Sequence, residues 1–100
     1  MKEFVVAASV DKPWDAGKIE SIVESTFAQL GLRVSLKGTA REFKGSVHWH
    51  LKKGKQNGTL EVTMAPNERR VWLKLQDGRT APWVEDDVPM IRAALEKNLR

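Results

Sequence analysis

From Leu32 to Gln76 apolar and polar residues take turns along the chain. Leu32, Val34 and Leu36 interleave with Arg33, Ser35 and Lys37. Val47, Trp49 and Leu51 interleave with Ser46, His48, His50 and Lys52, and Leu60, Val62 and Met64 with Thr59, Glu61 and Thr63. Val71, Leu73 and Leu75 interleave with Arg70, Trp72, Lys74 and Gln76. Four runs of period two predict an antiparallel sheet with one covered face. Turn residues separate the runs: Gly38-Thr39, the hairpin loop Gly54–Gly58, and Ala65-Pro66-Asn67-Glu68. A fifth strand is expected at Phe4 to Val10, with Phe4, Val6, Ala8 and Val10 on one side.

Two stretches follow the helical period instead. Ile19, Ile22, Val23, Thr26, Phe27 and Leu30 line one face, and Lys18, Glu20, Ser21, Glu24, Ser25 and Gln29 the other. This predicts a helix from about Pro13 to Leu30, capped by Asp11 and ended at Gly31. Val84, Val88, Ile91, Leu95 and Leu99 predict a closing helix, with Glu85, Asp86 and Asp87 early and Lys97 and Arg100 late, as the helix dipole prefers. Pro89 is expected in its first turn, leaving Pro82–Asp86 as a separate turn; a kinked longer helix is the alternative.

The predicted order is β-α-β-β-β-β-α. It gives a two-layer α+β domain, with two helices covering the apolar face of about five antiparallel strands. This order resembles a single repeat of TATA-binding-protein-like folds, by element order only. Locally, a strand followed by Val10-Asp11-Lys12-Pro13-Trp14 and a helix is similar to the opening of START-like helix-grip domains. No functional residue is carried over from either.

Composition bounds the function classes. One hundred residues allow one domain. Without cysteine there are no disulfides, thiolate metal sites or cysteine nucleophiles. No apolar run reaches the ~18–20 residues of a membrane span. The opening Met1–Ala8 has too short an apolar run for a signal segment, so a cytoplasmic location without a membrane partner is expected. Without that signal, the sequon Asn57-Gly58-Thr59 is not read as a glycosylation site. P-loop, dinucleotide and zinc-finger spacings are missing. Ser46 and His48 share a strand side without a nucleophile elbow around them, and Glu85-Asp86-Asp87 read as helix-start acids. The expectation is a non-catalytic module without a cofactor.

The net charge of +4 mildly favours anionic partners. The polar parity of the sheet gathers Arg33, Lys37, Lys44, His48, His50, Lys52, Arg70, Trp72 and Lys74, against the acids Glu42 and Glu61. Basic residues around an aromatic are what a sheet offers to single-stranded nucleic acid. The surface expected to meet an anionic partner, nucleic acid among the candidates, is therefore Arg33, His48, His50, Arg70, Trp72 and Lys74. Paired stacking aromatics and a GxxG clamp are missing, and a solvated basic face is the plainer reading. An outward Trp72 calls for a cover: a stacked ligand, a second copy of the chain, or the loop Thr39–Lys44 folded back. A second reading puts an apolar ligand pocket near Trp14, Trp49 and Trp83; a third is self-association through the open face.

One detail concerns metal. A four-residue loop Gly54–Asn57 pairs Lys53 with Gly58, which sets His50 opposite Glu61 and His48 opposite Thr63. His48 and His50 then share a side, roughly 7 Å apart along the strand. With Glu61 they imitate a two-histidine, one-carboxylate metal set. A flat exposed strand pair encloses an ion poorly, so the sequence alone favours a cross-strand charge pair here.

Overall fold

The computed structural model describes residues 2–7 and 14–100. β1 (Lys2–Val6) is followed by α1 (Ala16–Gln29) and then by a meander of β2 (Arg33–Gly38), β3 (Val47–Lys52), β4 (Leu60–Ala65) and β5 (Arg70–Leu75). α2 (Pro82–Asn98) closes the chain. The five strands lie in the order β1-β5-β4-β3-β2, all antiparallel. The predicted α+β order thus holds, and its likeness to a TATA-binding-protein-like repeat is one of element order.

The core forms where the apolar parity of the sheet meets the helices. Trp49, Leu51, Leu60, Val62, Leu73, Val23, Phe27, Ile91 and Leu95 are fully buried there. Phe27 of α1 meets the Trp49 ring edge-on at 5.6 Å. Among the described residues no helix is long and apolar enough to cross a membrane.

Four expectations are corrected. α1 starts at Ala16, and its cap is Asp15, whose Oδ1 accepts from the Lys18 N–H at 3.1 Å. The cap expected at Asp11, the helix start expected at Pro13, the strand end Ala8–Val10, and most of the segment Val10–Trp14 lie outside the described residues. α2 runs from Pro82, with Pro82 in its first turn and Pro89 inside. Trp83, Val84, Val88, Ile91 and Leu95 form one continuous buried stripe across that proline, and the apolar contact outweighs one missing backbone bond. The bond Pro89 cannot make is to the Glu85 carbonyl, and both residues are exposed, so water can serve that carbonyl.

The fourth correction bears on the site. Val34 pairs with Leu51, but Leu36 pairs with His50 and Lys37 with Trp49, because a bulge lies between Val34 and Leu36. One inserted residue exchanges the faces of everything beyond it. Lys37 therefore turns to the helix side, where its Nζ reaches Glu20 at 2.8 Å and Glu24 at 2.6 Å. Leu36 moves to the other face, 50% exposed beside His50. Ser35 Oγ–H donates to the His50 carbonyl at 3.2 Å across the bulge.

Candidate metal centre

The face turned away from the helices is not flat. Residues 39–46 fold back over it. Ser46 Oγ accepts from the Ala40 N–H at 3.0 Å, Phe43 N–H donates to the Ala40 carbonyl at 3.1 Å, and Ser46 N–H donates to the Phe43 carbonyl at 3.1 Å. Asn67 Nδ2 pins the loop from outside through the Lys44 carbonyl at 3.4 Å. The loop delivers Phe43 edge-on to Trp72, with ring centroids 5.1 Å apart. The Arg70 guanidinium lies 4.7 Å from the Trp72 ring centre. Trp72 is consequently only 5% exposed. It keeps the outward parity read from the sequence, yet loop and arginine cover it, so no ring face is free for a stacking base.

Between loop and sheet lies a cleft of about 310 Å³ that reaches His48, Glu61, Thr63, Arg70 and Lys74. The hairpin register read from the loop length is the one observed: His48 pairs with Thr63 and His50 with Glu61. Glu61 sits on the central strand and its side chain is only 5% exposed. The two imidazoles are each 20% exposed. His48 Nε2 is 3.1 Å from Glu61 Oε1 and 3.1 Å from His50 Nε2, and the third side of the triangle, His50 Nε2 to Glu61 Oε1, is 3.7 Å.

His48 Nδ1 lies 2.7 Å from Thr63 Oγ1. When Nδ1–H donates to that hydroxyl, Nε2 presents a lone pair, and three lone pairs converge on one point. When the hydroxyl turns to donate instead, the Nε2–H fills the same point, facing both Glu61 Oε1 and His50 Nε2. The triangle thus has room for one proton or one metal ion between its three atoms. Glu61 Oε2 is buried and accepts no hydrogen bond; Arg79 Nη1, at 4.0 Å, supplies charge without a bond. Burial is the largest influence on His50 and pulls its pKa down, with Glu61 opposing and His48, Arg79 and Lys52 adding to the fall. A depressed imidazole is neutral and ready to ligate near pH 7.

The geometry fits a metal ion. A point equidistant from the three atoms lies about 1.9 Å from each, so bonds of about 2.0–2.1 Å put an ion slightly above their plane. His48, His50 and Glu61 form the one such group of three potential ligands found among the described residues. Thr63 would orient the first imidazole, as outer hydrogen-bond partners do at metal sites. Three protein ligands leave at least one coordination position for water or a ligand.

The other residues singled out from the sequence scatter. Arg70, Trp72 and Lys74 line the cleft with His48, but Arg33 lies outside it on β2, with Nη2 on the Gly54 carbonyl at 3.5 Å. Trp49 and Trp83 belong to the core, and Trp14 packs half-buried against it. Trp83 Nε1–H donates to the Asn57 carbonyl at 2.6 Å. None of the three lines the cleft. Sequence reasoning missed Phe43 and Arg79. Only the chain's return path brings them to the face, though an uncovered Trp72 was a reason to look for the first.

No protein-family model, no curated protein and no solved structure matches this chain.

Proposed function

We propose that this protein is a metal-binding module that holds one divalent transition-metal ion on the sheet through His48, His50 and Glu61. The observation that supports the reading is the triangle of ligand atoms, 3.1, 3.1 and 3.7 Å on its sides, built around the buried Glu61, with no Lys or Arg hydrogen-bonded to it among the described residues. Two imidazoles and one carboxylate suit Zn²⁺, Fe²⁺, Co²⁺ or Ni²⁺ better than the oxygen-seeking Mg²⁺ or Ca²⁺. The weakness read from the sequence, poor enclosure, is offset by the folded-back loop and the depth of Glu61.

Titration calorimetry of metal-stripped protein with Zn²⁺ tests the proposal. One equivalent is expected to bind, and His50→Ala and Glu61→Gln are expected to abolish tight binding while remaining folded by circular dichroism. Binding to the folded state alone stabilises by about 2.7 kcal/mol at a free ion concentration one hundred times Kd. No binding to the wild-type protein, or binding that survives in both variants, would refute the site.

A further inference from the structure

Resting on the metal reading, we infer that the cleft takes a small oxyanion, a carboxylate or phosphate group, which bridges the bound ion and the side chains of Arg70 and Lys74, and which binds only once the ion is in place. The cleft contains an unmet donor. Arg70 lines the cleft, and its Nε is buried without a hydrogen-bond partner. The guanidinium packs on the Trp72 ring, 4.7 Å from its centre, and a guanidinium is a fork for a planar or tetrahedral oxyanion. Lys74 lines the same cleft and stands beside Glu61 in the strand register. Among the described residues neither Arg70 nor Lys74 has a carboxylate within 4.0 Å, unlike Lys37 or Lys53.

The size and charge of the cleft narrow the ligand. A volume of about 310 Å³ lies at the small end of ligand pockets, so an oxyanion group fills part of it and leaves room for the small molecule that carries the group. Arg41, Arg70 and Lys74 contribute three positive charges to the lining, and Glu3, Glu42 and Glu61 three negative ones. Without an ion the cleft is electrically balanced and gives an anion little net attraction. A divalent ion on His48, His50 and Glu61 leaves it with two charges in excess. With three protein ligands the ion would keep a coordination position open, and two of those ligands, His48 and Glu61, line the cleft. The anion's partners are thus assembled in order: the ion first, then the oxyanion between ion and cations. Linkage makes this reciprocal, so the oxyanion must tighten the ion by the same factor.

The experiment uses the whole protein loaded with Co²⁺, whose visible absorption reports changes in its ligands. Inorganic phosphate in one arm and acetate in the other are titrated at constant ionic strength. A saturable spectral change is expected in at least one arm, and the arm that responds at lower concentration names the group. The midpoint is expected to rise at least fivefold in Arg70→Gln and in Lys74→Gln, each checked for unchanged Co²⁺ stoichiometry. Calorimetry on metal-stripped protein should show no binding of either anion. If Co²⁺ itself does not bind, the metal reading falls and takes this one with it. If Co²⁺ binds but neither anion changes its spectrum, or both variants respond as wild type does, or the metal-stripped protein binds as tightly, the oxyanion inference alone is overturned.

Discussion

β3 carries two polar clusters, one on each side of the sheet, built around neighbouring residues. On the helix side Trp49 Nε1–H donates to Glu24 Oε2 at 3.0 Å, and Lys37 Nζ joins Glu24 and Glu20. On the other side His48 and His50 converge on Glu61. In the first cluster donors meet acceptors: one ammonium serves two carboxylates, and one indole N–H finds one of them. In the second, three potential ligand atoms crowd within 3.7 Å of one another, and the carboxylate is far more deeply buried than Glu24. Burial raises the cost of every unmet group. A protein that needed only to close its sheet surface gains nothing from such an arrangement. A protein that needs to hold an ion gains a site assembled before the ion arrives.

The largest expected effect lies on the satisfied side. Trp49 is fully buried against Phe27, and Trp49→Ala should cost about 3–5 kcal/mol, read from urea unfolding. The Zn²⁺ stoichiometry of the folded fraction should stay at one, because the two faces share a strand but no side chain. A Trp49→Ala protein that is folded yet binds no Zn²⁺ would show the clusters to be coupled through the strand itself.

How much of this contrast the sequence carried depends on range. Period-two patterning placed Trp49 inward and both histidines outward, and the loop length set His48 on Thr63 and His50 on Glu61, as observed. Those are local facts, fixed by pleat and turn. The bulge at Ser35 left no mark on the pattern, because Leu32, Val34 and Leu36 alternate as an unbroken strand does. Lys37 was therefore read on the wrong face, and its pairing with the α1 acids went unseen. Enclosure was equally invisible. It comes from Phe43 and the return of residues 39–46, contacts whose distance in sequence exceeds any local period. The same limit separated the ligand set, legible as a spacing, from the depth that makes it a candidate centre.

Intermediate effects should carry opposite signs on the two sides. Glu24→Ala leaves the buried Trp49 indole N–H without its acceptor and should destabilise by about 1–3 kcal/mol. Glu61→Gln should do the reverse in the metal-free protein. Its amide brings two N–H donors to a point where imidazole lone pairs converge, and a gain of about 1 kcal/mol is expected. The same variant loses the Zn²⁺ stabilisation. Urea midpoints of the two variants with and without Zn²⁺ give the comparison directly. Destabilisation of both in the absence of metal would mean that Glu61 is as well satisfied as Glu24.

The smallest effect is a pH dependence confined to the helix side. Hydrogen bonds from Lys37 and then from the Trp49 indole hold the Glu24 carboxyl below its ordinary value of 4.5, against a weaker opposing pull from burial. As pH falls, the unfolded chain takes up this proton first, so its free energy drops before that of the folded protein. The contribution of Glu24 is therefore complete above pH 4.5 and fades as pH passes down through the lower folded value. Glu24 is partly exposed, and solvent screening keeps the effect modest. Urea unfolding of wild type and Glu24→Gln between pH 7 and about pH 3 isolates it. The wild-type advantage should be constant at the upper end and shrink only in the acid range. An advantage that instead changed between pH 6 and 7 would belong to a histidine and would tie the helix-side cluster to the one across the sheet.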